Sequence, residues 1–509
     1  MAEAEFAALA EANIRLKRPF KLATGGWELG PEDDRSRFDR TIGPEYTGIG
    51  SQVSMVGAAP TDPGFKEFRH HEGWIGPWLE DDSMLVAPEI CRICAFSSCG
   101  HASIYMANLT RIVFAGLGRT IDRARVAYEY GARGALMGTH WRTRAVGPNL
   151  YALLRAGLDP SIAADAVWTD WCRNEFGAAG PRACAAFRLL DDNNCSESLM
   201  LHKVSHVYAR PSCLRPAAWE VYPLHWSTGP EGSVAALHGN SSGYSWVDEG
   251  QCAWRRLYGW VDNFCALNAS GANLTAPQRD SLAYWCNSFS YMRALAAIDC
   301  AWALHRDGIA ALNTSADPHR FATEVVLPLR VQLTANVSIA LTHLMQTISN
   351  VGEIGTLAHM LSSDLPNALW NATEVELLLG ALGTSQLPAA ARPSTRYRGA
   401  PRIFVPTRRP FARPNQTLTI RAVVLSATRP DRVELWTREP HTADDAGWVG
   451  VAMQAETAKQ QSFTRSVAVR AELEYYVSAS WGSAPAAAQV VWPPGAPARG
   501  ESVLVWPGR

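Results

Sequence analysis

Short apolar runs set off by glycine recur through the first third of the chain. They are "FKLATGGW" (20–27), "YTGIGSQVSM" (46–55), "GWIGPWLEDD" (73–82) and "GALMGTHWRTR" (134–144). Helical periodicity fills about 3–16 and 119–131. Buried strands alternating with helices or loops predict a parallel sheet. Each run also closes on polar or aromatic residues: Trp27 and Glu28, then Ser51 and Gln52, then Trp78 with Glu80, Asp81 and Asp82, then His140, Trp141 and Arg142. The C-terminal ends of parallel strands are where such sheets gather their chemistry.

The pattern changes twice. Over about 161–395, "DAVWTDWCRNEFG", "SLAYWCNSFSYMRALAAIDCAWALHRDGIAAL" and "FATEVVLPLRVQLTANVSIALTHLMQTI" carry apolar residues three and four apart, which predicts helices. A Trp-, Gly- and Ser-rich stretch (about 203–256) reads as a long loop, and "LPAAARPSTRYRGAPR" (387–402) as a Pro/Arg linker. Beyond it, "TLTIRAVVL", "RVELWTR", "WVGVAMQ", "SFTRSVAV", "LEYYVSASW" and "ESVLVWP" alternate with period two, as strands of a sandwich do. The expected fold class is therefore multidomain α/β + α + β. It comprises a partial (β/α)8 TIM barrel over 1–160, an α-helical domain over 161–395, and an immunoglobulin- or fibronectin type III-like β-sandwich over 396–509.

Composition narrows the function class. At 509 residues, 47% hydrophobic and 19% charged, the chain has ample material for several cores. A net charge of −1 with no basic stripe argues against a nucleic-acid partner. No uninterrupted apolar run reaches membrane-spanning length, so no membrane span is expected. Asn-x-Ser/Thr sequons fall at Asn108, Asn194, Asn240, Asn268, Asn273, Asn313, Asn336, Asn371 and Asn415. Nine such sites point to a secreted or extracellular glycoprotein from a eukaryotic source. The opening "MAEAEFAALAEANIRLKR" is an Ala/Glu-rich amphipathic helix with no signal-peptide pattern, and Met1 is expected not to be the natural start.

Eleven cysteines suit an oxidising compartment. Cys91, Cys94 and Cys99 with His101 offer an incomplete zinc pattern, so disulfides are the preferred use, extending to Cys172, Cys184, Cys195, Cys213, Cys252 and Cys265. No metal and no cofactor is expected. Of the 19 tryptophans most serve packing, and a few at strand ends are candidates for stacking on sugar rings.

"FKLATGGWELGPEDDRSRFD", "WIGPWLEDD", "ALMGTHWRTRAVGPN", "YWCNSFSYMRALA", "VGEIGTLAHM" and "LEYYVSA…VVWPPGAP" together resemble a group of large bacterial secreted proteins laid out like α-glucuronidase-type glycoside hydrolases. The resemblance implies a TIM barrel, a helical domain and a C-terminal β-sandwich, with carbohydrate as partner. Only four barrel strands are represented, which corresponds to the second half of the barrel. It implies that a partner chain or further sequence supplies the first half, and that this chain is inert by itself if the fourth-strand acid lies in that missing half. The segment 91–118 reads as an insertion between the third strand and its helix.

Glycoside hydrolysis needs two carboxyls across the scissile bond. Counting "GALMGTHWRTR" as the eighth strand makes "WIGPWLEDD" the seventh, the usual place of a retaining nucleophile. Glu80 then takes that role, beside Asp81 and Asp82, whose mutual repulsion raises their pKa values so that one could serve as acid or base. A solvated acidic turn accounts for the same three residues. Trp27, Trp78 and Trp141 are candidate stacking platforms. His140 binds a sugar hydroxyl, orients a carboxylate, or is structural. Arg142 and Arg144 alternate, so one of them points inward, to a uronate or to an internal salt bridge with the acidic run. The leading expectation is a glycosidase. The alternative is a non-catalytic carbohydrate-binding or cell-surface glycoprotein on a degenerate hydrolase scaffold, with an extracellular structural protein as a third option.

Overall fold

The computed structural model describes residues 22–25, 49–54, 77–78, 117, 121, 125, 144, 147–192, 261–267, 273–349, 354, 372–394, 396–440, 447–457, 461–482 and 488–506. They fall into two compact units.

The first unit holds three parallel strands, β1 (Leu22–Gly25), β2 (Ile49–Ser54) and β3 (Pro77–Trp78), side by side in chain order. Leu22 pairs with Ile49, Gly25 with Gln52, and Ser54 with Trp78. Three helices follow: α1 (Gly147–Leu158), α2 (Ala164–Phe176) and α3 (Gly180–Asp192). Asp170 of α2 receives both the Tyr151 hydroxyl and the Arg155 guanidinium of α1. The Tyr151 bond, foremost among its neighbours, holds the Asp170 carboxyl below its usual range. α2 and α3 run antiparallel. Phe187 meets Trp168 and Trp171 at ring separations of 5.9 and 5.1 Å, and Arg188 pairs with Asp165 at 3.1 Å.

The second unit is built on two long helices. α4 (Ala276–Leu312) begins at Thr275, whose hydroxyl accepts from Gln278 N while the Gln278 side chain accepts from Thr275 N. This reciprocal cap, with Pro277 in the first turn, fixes the helix start. α5 (Pro318–Phe321) leads through a π-turn (Ala322–Val326) into α6 (Leu327–Thr347). "FATEVVLPLRVQ" reads as one continuous helix from its periodicity. The difference follows from Pro328, which lacks an N–H and crowds the carbonyl four residues earlier, so the preceding turn widens. Tyr291, Ile298 and Trp302 of α4 pack on Leu333, Val337 and Leu344 of α6. A disulfide joins Cys265, in the helical segment 261–267, to Cys286 of α4, with Cα atoms 5.0 Å apart. Around it Phe264 sits edge-on to Phe289 at 4.8 Å. α7 (Ala372–Leu382) follows later in the chain.

Among the described residues, the run Pro318–Thr347 is long and apolar enough by composition to cross a membrane. Its buried side, through Leu333, Val337 and Leu344, packs on α4.

The expected linker is strapped to α6 for much of its length. The Thr334 hydroxyl donates to Ala390 O (2.8 Å), Gln346 Nε2 to Ala400 O (2.7 Å), and Arg402 Nη2 to Ile348 O (2.8 Å). Two of its carbonyls accept from side chains of the helix, and its Arg402 donates to the carbonyl at the helix end, which holds the segment down.

Ten strands then form two sheets. One runs in the order β4 (Arg402–Phe404), β6 (Gln416–Leu425), β10 (Ser462–Val469), β9 (Gln454–Ala455). The other runs β5 (Phe411–Ala412), β13 (Glu501–Val505), β11 (Leu473–Trp481), β7 (Arg432–Arg438), β8 (Val449–Ala452), with β12 (Ala488–Trp492) also on β11. One core joins the two sheets, with Leu418, Ile420, Ala422 and Val424 on one side and Val433, Leu435, Tyr475, Val477 and Ala479 on the other. Period-two alternation puts these residues on one face of each strand.

Candidate functional site

Parallel pairing brings the C-terminal ends of β1, β2 and β3, at Gly25, Ser54 and Trp78, to one end of the sheet. Of the residues singled out from the sequence, Trp78 closes β3. Trp27, Glu80, Asp81, Asp82, His140, Trp141 and Arg142 lie outside the described residues. Arg144 does not sit in a strand. It is in a turn, and its carbonyl accepts from Gly147 N at 3.2 Å as α1 begins. Pro148 accounts for this, because its fixed φ suits the first turn of a helix and sets where α1 starts.

The described helices contain a buried polar cluster that the sequence reading passed over. His305 and Arg306 come from α4, Arg330 from α6 and Glu374 from α7. His305 Nδ1 lies 3.7 Å from Glu374 Oε2, and Arg306 Nε lies 3.7 Å from Glu374 Oε1. His305 is 1% exposed, and neither ring nitrogen makes a hydrogen bond. Burial, aided by the Arg330 charge, holds its pKa down at about 3, so the ring is neutral. Burial pushes Glu374 up, against the pull of Arg306 and Arg330. Arg330 Nε reaches back to Ala391 O at 3.4 Å. A histidine this enclosed cannot exchange protons with a substrate. The cluster fixes how three helices meet. The signal in the sequence was "LHRD", a basic pair within an otherwise apolar helix. Among the described residues no group of three or more His, Cys, Asp or Glu could hold a metal.

The six-stranded sheet carries aromatic rings on its outward face. Trp436 of β7 lies parallel to Tyr476 of β11 (2°, centroids 5.7 Å apart), and its Nε1 donates to Ser478 Oγ at 3.0 Å. The Trp436 ring covers Gly450 so closely that a Cβ there would stand 2.8 Å from it. Trp448 meets Tyr476 edge-on, with the Arg438 guanidinium 4.4 Å from its ring centre, and Arg438 also pairs with Glu474 at 2.7 Å. At the far edge Phe411 and Trp506 are 53% and 63% exposed and meet edge-on at 6.4 Å. No motif marks these rings in the sequence beyond the alternation that makes them outward-facing.

Four sequons fall on described residues. Asn273 precedes the Thr275 cap, Asn313 closes α4, and Asn415 sits at φ 62° in the turn before β6; all three are exposed. Asn336 is different. It lies inside α6, and its Nδ2 donates to Ala297 O of α4 at 3.2 Å. The atom that would carry a glycan is engaged between two packed helices.

No family model matches the chain, and neither the curated proteins nor the solved structures give a significant match.

Proposed function

We propose that this chain belongs to a secreted carbohydrate-active protein that hydrolyses glycosidic bonds in uronic-acid-containing oligo- or polysaccharide, at the C-terminal end of the parallel strands. The observation that carries this reading is the pairing of β1, β2 and β3 in chain order, all in one direction. That arrangement is the one a TIM-like barrel needs, and it gathers strand ends on one side. The covalent chain ties Trp27 to within two residues of Gly25, and Glu80 to within two residues of Trp78.

In this reading Glu80 is the carboxylate that attacks the anomeric carbon, or that activates a water to do so. One carboxyl of the Asp81–Asp82 pair, kept protonated by its charged neighbours, gives its proton to the leaving oxygen. Trp27, Trp78 and Trp141 stack on sugar faces, His140 binds a hydroxyl, and Arg142 binds the uronate carboxylate with two parallel hydrogen bonds. A second reading is a non-catalytic carbohydrate-binding glycoprotein. The exposed rings of Phe411 and Trp506 on the outward sheet face favour it.

Titration with glucuronic-acid oligosaccharides and with neutral ones of equal length separates the two. Losing a charge-assisted pair weakens binding by about tenfold or more, so Arg142→Met should weaken the acidic ligand by that much and leave the neutral one within twofold. Equal loss for both would remove the uronate assignment. Loss of all binding in Trp506→Ala, with Arg142→Met unaffected, would support the second reading.

A further inference from the structure

α2 and α3 fold back on each other across the turn Gly177–Ala179. Cys172 and Cys184 stand six residues to either side of Ala178, which puts them opposite one another in an antiparallel helical pair. Both are reduced, and both are buried, at 1% and 6% exposure. The helices approach closely here: a Cβ on Gly180 would stand 2.8 Å from the Cys172 carbonyl oxygen, so only glycine fits. The Cys184 thiol donates to Trp168 O at 3.2 Å, one helical turn before Cys172 on α2. Of the groups around the Cys184 thiol, Cys172 acts on it most strongly. Arg188 follows Cys184 by one turn on α3 and is held in place by Asp165.

We propose that Cys172 and Cys184 form an oxidisable dithiol that closes to a disulfide and staples α2 to α3. The oxidant is a small-molecule disulfide of the glutathione class. The Cys184 thiolate attacks one sulfur of that disulfide, forms a mixed disulfide and expels one glutathione thiolate. The Cys172 thiolate then attacks the Cys184 sulfur and expels the second. Two electrons pass from the pair to the oxidant, and the two thiol protons end on the two released glutathiones.

The direction of attack has a physical basis. Hydrogen bonding from Cys172, with the Arg188 charge adding to it, holds the Cys184 thiol below its ordinary range despite burial. The more acidic sulfur supplies the attacking thiolate. Because both sulfurs are enclosed, reaction requires the hairpin to open, so the exchange is slow in the folded protein.

The test uses the full chain in buffers of graded oxidised-to-reduced glutathione ratio. Remaining thiols are alkylated in denaturant and the protein is digested with trypsin. Cleavage at Arg155, Arg173, Arg182 and Arg188 leaves Cys172 in peptide 156–173 and Cys184 in peptide 183–188. Under oxidising ratios these two peptides should appear joined, two hydrogen atoms lighter than their sum, and should separate on reduction. In Cys172→Ser, Cys184 should retain glutathione; in Cys184→Ser, Cys172 should retain at least tenfold less. Full alkylation of both cysteines at every ratio, or pairing with other cysteines, would overturn the dithiol. Equal glutathione on both variants would overturn Cys184 as the attacking sulfur. The wild-type cross-link decides the disulfide even if the serine variants fail to fold.

Discussion

Replacing Glu80 by Gln is expected to lower glycoside hydrolysis by the full-length protein by about two to four orders of magnitude, the range lost when a positioned carboxyl leaves a reaction. The change is nearly isosteric. It removes a negative charge that, in the proposed reaction, either bonds to the anomeric carbon or takes a proton from water. Ligand affinity should stay within a few-fold, because the residues proposed to stack on the sugar and Arg142, proposed to bind its carboxylate, are untouched. A rate measured under saturating substrate therefore isolates chemistry from binding. Turnover within twofold of the parent would move the reacting carboxylate elsewhere and leave "WLEDD" as a solvated turn.

Acid is expected to loosen the helical part of the second unit between pH 6.5 and about 4, and His305 is the main reason. Its folded pKa is held at about 3 by burial and then by Arg330, against an ordinary 6.5. The unfolded chain thus takes up a proton that the folded chain refuses. The stability contributed is fully present above pH 6.5 and is lost as pH falls toward 3, by up to about 4 kcal/mol at the low end. His343, held down at about 4 by burial ahead of the Arg293 charge, acts in the same direction. Glu374 opposes them. Its folded pKa is raised, so its contribution is present below its ordinary value and lost as pH rises through the folded one. Because Glu374 has that offset only at the acidic end, the net loss begins with the histidines. Hydrogen exchange of amides in 276–312 and 327–347, corrected for intrinsic rates, should accelerate between pH 7 and 5. In His305→Leu about half of that pH slope should vanish, because His343 supplies an equal share above pH 5. An unchanged slope in the variant would show that the ring titrates freely and is not enclosed as described.

How much of this was legible depended on whether the signal was local. β7 coincides with "RVELWTR" and β11 with "LEYYVSASW", because alternating burial is written directly into alternating residues. α4 was legible over its apolar length, and its start was missed. The cap at Thr275 is a reciprocal hydrogen bond between two polar side chains, and no hydrophobic period reports it. The break before α6 was carried by a single residue, Pro328, against seven apolar neighbours in "FATEVVLPLRVQ". The His305–Glu374 approach joins residues far apart in the chain and depends on how α4, α6 and α7 pack, which periodicity does not encode. The same holds for disulfide pairing. Cys265 stood among the candidates, while its partner, Cys286, was not among them, since spacing along the chain does not report which helix faces meet. For the strand ends, the sequence supplied residue types and order, and the pairing of β1, β2 and β3 supplied direction. The side chains proposed for catalysis follow those strands and lie outside the described residues.

The most direct measurement is a crystal structure of the protein soaked with a glucuronic-acid oligosaccharide. The account predicts the sugar at the end of the sheet marked by Gly25, Ser54 and Trp78, with its carboxylate on a guanidinium and its scissile bond beside Glu80. A sugar bound only against Trp506 and Phe411, or no bound sugar at concentrations that saturate binding in solution, would contradict it.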